Sequence, residues 1–124
     1  MRLPLWDFED LVEQALAGLP EEFSRRLENV IVEVEPRPSR QVLEKLDMPR
    51  GRTLLGYYEG VPLTRKSVSS PYEMPERIII FKEPIESCCR TRQEVIEQVR
   101  RTVLHEIGHH FGMEEGDLDE VGYG

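Results

Sequence analysis

All three histidines of this chain fall within one hexapeptide, His105-Glu106-Ile107-Gly108-His109-His110. Two imidazoles four residues apart on a helix project from the same face about one turn apart, which suits two ligands of one tetrahedral metal ion. Glu106 follows directly at the edge of that face, where its carboxylate can reach a water on the metal without being a ligand itself. His110 lies about 100° further round a helix than His109, so it reads as a neighbouring or solvent-facing group outside the metal set. Gly112 allows the helix to end and the chain to reverse, and Glu115 can then return an oxygen as third protein ligand, leaving the fourth position to water. Asp119 is the next candidate for that role. Two imidazoles with one carboxylate suit Zn²⁺, whereas Mg²⁺ and Ca²⁺ prefer shells made wholly of oxygen.

These residues need a helix to hold them, and the sequence predicts one on independent grounds. Thr91-Arg92-Gln93-Glu94 has the form of a capping box, in which the Thr hydroxyl and the Glu carboxylate each satisfy a backbone N–H that the first helical turn leaves without a partner. Ile96, Val99, Val103 and Ile107 then recur at helical spacing, and Gly112 is the first good stop.

The rest of the chain supplies what that helix packs on. Asp7 is expected to cap a first helix with its apolar face at Phe8, Leu11, Val12, Ala15, Leu16 and Leu19, closed by Gly18. Pro20 opens a short second helix running to about Leu27. Val30, Val32 and Val34 alternate with Ile31, Glu33 and Glu35, the period of a strand with one buried face, and Pro36 and Pro38 stop it. Ser39 precedes a brief helix with Val42, Leu43 and Leu46. Leu54 to Tyr58 and Val61 to Arg65 flank Glu59-Gly60 as a hairpin, in which one of Tyr57 and Tyr58 must face the core. Arg77 to Lys82 reads as the central strand, buried on both faces. The expectation is an α+β domain spanning residues 1–124, with about four strands and N-terminal helices.

Taken together, His105-Glu106-x-x-His109-x-x-Gly112-x-x-Glu115 resembles the extended motif of the metzincin branch of zincin metallopeptidases. With Met113 and the acidic residues that follow, it looks more closely like the small bacterial zincin-like metallopeptidases. The resemblance implies a zincin-type fold, in which a small mixed sheet packs on the active-site helix and an edge strand can align an extended peptide. It also implies zinc-dependent hydrolysis of a peptide or protein substrate, with Glu106 as general base. Two departures stand out. The third-ligand position is usually His or Asp where this chain has Glu115, and no methionine follows Met113 in this sequence to form the turn that underlies the metal in larger metzincins.

Composition bounds the alternatives. The chain has 124 residues with 24 acidic against 16 basic side chains, a net charge of −8, which disfavours nucleic acid and anionic membrane surfaces as partners. Its longest aliphatic or aromatic run, Ile78 to Phe81, falls far short of the ~20 apolar residues of a membrane span. The N-terminal residues lack the basic start and long apolar middle of a secretory signal, so a cytoplasmic location is expected. The two cysteines, Cys88 and Cys89, are adjacent and form no disulfide framework. The rival to a peptidase is a metal-binding or regulatory domain that keeps the scaffold with little or no turnover. Glu106 weighs against that rival, because a purely structural zinc site needs no base.

Overall fold

In a computed structural model of the chain, residues 1–46, 54–59 and 76–110 are described. Five helices and three strands follow in the order α1 (Leu5–Ala17), α2 (Glu21–Arg26), β1 (Val30–Glu35), α3 (Arg40–Lys45), β2 (Gly56–Glu59), β3 (Glu76–Phe81), α4 (Lys82–Ser87) and α5 (Arg92–His110) among those residues. The fold is a mixed α+β arrangement. Its three described strands lie in the order β1-β3-β2, with β1 parallel and β2 antiparallel to β3. The fourth expected strand, 61–65, and the Gly60 turn before it lie outside the described residues. Glu59 is not a turn residue as expected but the last member of the β2 ladder, opposite Arg77.

Register decides what the sheet offers the helices. Val34 pairs with Ile80, and Ile80 with Gly56, while Val32 pairs with Ile78, and Ile78 with Tyr58. Because side chains alternate along a strand, these residues share one face, and Ile78, Ile80 and Tyr58 join the hydrophobic cluster beneath it. Helices α1 and α5 fill that cluster with Phe8, Leu11, Val12 and Ala15 from the one and Val95, Ile96, Val99, Val103, Leu104 and Ile107 from the other. On the opposite face Arg77 spans the three strands, with Nη1 donating to Glu33 at 3.1 Å and Nη2 to Glu59 at 2.7 Å. β3 is the central strand, as its unbroken apolar run indicates, and Ile78 to Phe81 are all buried.

The capping box at the start of α5 forms as the sequence indicates. Glu94 N–H donates to Thr91 Oγ1 at 3.1 Å, and Glu94 Oε2 accepts from the N–H groups of Thr91 and Arg90 at 2.9 and 2.8 Å. Those bonds, with that from Arg90 foremost, hold the Glu94 carboxyl below its ordinary range. Ser39 caps α3 in the same way, accepting from Val42 N–H at 3.2 Å.

At α1 the sequence misleads. The helix begins at Leu5 behind Pro4, whose carbonyl accepts from the N–H groups of Asp7 and Phe8. Asp7 is therefore inside the first turn, not its cap, and its buried carboxylate accepts from Arg92 Nη2 at the start of α5. Further along, the Arg100 guanidinium donates to the carbonyls of Ala15, at 3.1 Å, and Gln14, at 3.4 Å. It so places a cation on the electronegative end of α1, and it occupies the space a side chain at Gly18 would need. Arg92 and Arg100 thus fasten α5 to α1 at both ends of the shorter helix.

The short α4 is absent from the expected elements. Pro84 sits at its third position, where no helical N–H is required, and Ile85 is its main apolar contribution, so no periodic pattern announces it. Lys82, expected as the end of the strand, begins this helix. Cys88 and Cys89 follow it as free thiols, and burial pushes the Cys89 thiol up to about 12.

Candidate active site

α5 has two jobs along one length. Its Val99, Val103, Leu104 and Ile107 stripe is fully buried, and the helix packs against β2, β3 and α1. The 3.6-residue period turns the positions between those residues outward near the C-terminal end. His105 is exposed there, Glu106 is half-buried, and Gly108 is buried. His109 lies four residues after His105 in the same unbroken helix, the backbone spacing that sets two side chains on one face. His110 is its last residue. Glu115, Asp119, Gly112 and Met113 lie outside the described residues. Among the described residues no group of three His, Cys, Asp or Glu is placed to hold a metal ion.

Glu106 lines a cleft of about 310 Å³ on the β2 side of the described sheet. Tyr57, Tyr58 and Glu59 form its strand wall, and Lys45 and Leu46 at the end of α3 close it from the side. A carboxylate in a cleft walled by β2, the last strand of the described sheet on that side, can meet an extended chain lying beside that strand. Tyr58 is the inward tyrosine of the pair, 7% exposed, and burial together with a hydrogen bond to Glu76 pushes its hydroxyl above the ordinary tyrosine range. Tyr57 is half-buried and lines the cleft from the other face of the strand.

Sequence reasoning missed the residue that sets the width of this site. A Cβ at Gly56 would run into the Thr102 methyl and come within 3.3 Å of the Ile79 carbonyl, so β2 and α5 approach closely here because Gly56 has no side chain. Thr102 is buried one turn before Glu106, with its Oγ1 donating to the Gln98 carbonyl at 2.8 Å. The signal in the sequence was a lone glycine at the start of a strand, beside two tyrosines. Gly56→Ala is expected to destabilise the chain by about 1–3 kcal/mol through overpacking. Adding Thr102→Ser, which removes the methyl and keeps the hydroxyl, should recover most of that loss in urea unfolding.

The comparisons with known proteins bear on this helix and sheet together. The family model for zincin-like metallopeptidases matches residues 27–123, more than three quarters of the chain and every element from β1 to α5. The chain belongs to the zincin-like metallopeptidase family. A conserved hypothetical protein from T. thermophilus shares the fold of this zincin-like chain. It superposes with a TM-score of 0.56 at 24% identity, over 92% of this chain and 99% of the other. No curated protein matches. Family membership thus agrees with the resemblance carried by His105, Glu106 and His109. Among the described residues no helix of this zincin-like chain is long and apolar enough to cross a membrane.

Proposed function

We propose that this chain is a zinc-dependent peptidase whose metal is held by His105, His109 and Glu115 and whose general base is Glu106. The observation that carries the reading is the placement of His105-Glu106-x-x-His109 on one helix, with Glu106 lining the cleft beside β2. The donor chemistry fits zinc. Neutral imidazoles and one carboxylate leave a net positive charge at the ion, and an exposed His105 keeps one side of the site open to solvent.

Zinc, when bound, would supply a Lewis acid that polarises the scissile carbonyl and makes a water acidic enough to attack at neutral pH. The chain's own residues do the remainder. Glu106 takes the proton of the attacking water on its carboxylate and delivers it to the leaving amine. β2, which walls the cleft with Tyr57, Tyr58 and Glu59, is the strand beside which a peptide can extend, and the buried stripe of α5 keeps Glu106 fixed relative to that strand.

The third ligand gives the reading its sharpest test. Glu115→Ala should weaken zinc affinity by at least about tenfold, the lower end of losses from damaged metal shells, whereas Asp119→Ala should leave it unchanged in a competition titration with a zinc chelator. Neither substitution touches the apolar stripes, so both variants should keep the circular dichroism of the parent. If Asp119 controls affinity and Glu115 does not, the third ligand comes from later in the chain and the metzincin-like arrangement falls.

A further inference from the structure

Cover over the helix-facing side of the sheet is uneven. α5 packs under β2 and β3, and α1 packs against α5, which leaves a groove of about 900 Å³ between α1, α2 and the inner face of β1. Its floor is Leu16, Leu27, Val30, Val32 and Val34, apolar residues that are only partly buried although they adjoin the core. Its walls are acidic. Glu9 and Glu13 stand one turn apart on α1 and Glu28 follows α2, while Glu33 and Glu35 border the groove from β1 but alternate with its valines and so belong to the opposite face of that strand, with no Lys or Arg among the described lining residues. Glu33 shares its carboxylate with Arg77, whereas Glu9, Glu13, Glu28 and Glu35 make no ion pair with a described residue.

β1 adds a second feature. Among the described strands it has a partner on one side only, and an unpaired strand edge is a template for a further strand. A segment laid along that edge would alternate its side chains between two environments. On one face they would stand beside Val30, Val32 and Val34 over the groove. On the other they would stand beside Ile31, Glu33 and Glu35.

We infer that this groove docks an extended, basic segment of a partner protein, in which apolar residues alternate with Lys or Arg, added to the edge of β1 that no described strand pairs with. The apolar residues cover the valines and the basic ones meet Glu33 and Glu35 on the other face of β1. A second copy of this chain is a poor occupant, because each copy carries a net charge of −8. The cleft at Glu106 lies at the opposite edge of the described sheet, with β3 between the two, so docking here leaves that cleft open and does not depend on the peptidase reading.

The test uses the whole chain and three fluorescein-labelled octapeptides: alternating Lys-Val, alternating Glu-Val, and four Lys followed by four Val. Fluorescence anisotropy should show the alternating Lys-Val peptide binding at least about tenfold more tightly than either of the others, and more weakly as salt is raised. Glu35→Lys changes an exposed position on the outer face of β1 and should weaken that peptide by about tenfold at unchanged thermal stability. Val32→Lys should do the same by placing a charge on the floor. Equal binding of the block peptide would reduce the interaction to general charge attraction and overturn the proposal. So would undiminished binding by the Glu35→Lys variant. A concentration-dependent dimer in sedimentation that this variant abolishes would assign the face to a second copy and overturn it as well.

Discussion

Glu106→Gln is expected to lower peptide hydrolysis by at least about a hundredfold, the lower end of what a positioned general base contributes, while the protein retains its zinc. The amide keeps the size of the side chain and its place in the cleft beside Tyr57 and Glu59, but it accepts no proton from water. Hydrolysis is read with a quenched-fluorescence peptide library, and zinc by elemental analysis of the same samples. Loss of metal along with activity would make Glu106 a ligand. Undiminished hydrolysis would move the base elsewhere. The rival reading, a scaffold with little or no turnover, expects no hydrolysis by either protein in that assay.

The largest effect on stability is expected at Phe8. Its ring is fully buried in the cluster shared by α1, the sheet and α5, with the Lys82 ammonium 5.9 Å from the ring centroid. Phe8→Ala should cost about 3–5 kcal/mol from lost burial and the cavity left behind. That is a large share of the ~5–15 kcal/mol by which domains are stable. Urea unfolding followed by circular dichroism measures it directly. A loss below about 1 kcal/mol would mean that α1 does not share one core with α5.

What the sequence reveals and what it conceals divide along physical lines. α5 is legible because several local signals agree: the Thr91–Glu94 box, the Val99, Val103, Ile107 period and two histidines spaced about one helical turn apart. β3 is legible because a central strand is buried on both faces and so reads as an unbroken apolar run. α4 is concealed because one turn and a half with a single buried aliphatic carries no period. Asp7 is misread because a residue fit to cap a helix is equally fit to receive an arginine from another one, and the partner, Arg92, lies 85 residues away. The order β1-β3-β2 is a long-range result that no local pattern encodes. The same holds for the close approach at Gly56 and the groove beside β1, where Val30, Val32 and Val34 follow the strand period yet remain half-covered.

The candidate site divides in a similar way. His105, Glu106 and His109 are proposed from residue type and spacing alone, since the chemistry requires a helix and the helix is independently indicated. The cleft wall is not, because Tyr57, Glu59, Lys45 and Leu46 come together with Glu106 only through the antiparallel pairing of β2 on β3 and the packing of α5 behind them.

Zinc content tests the central claim most directly. The chain is purified without metal, dialysed against zinc, freed of excess and measured beside His109→Ala prepared identically. The proposed site predicts about one equivalent per parent chain and little in the variant, whose fold should otherwise persist. A parent chain that retains no zinc, or a His109→Ala variant that retains as much as the parent, would contradict it.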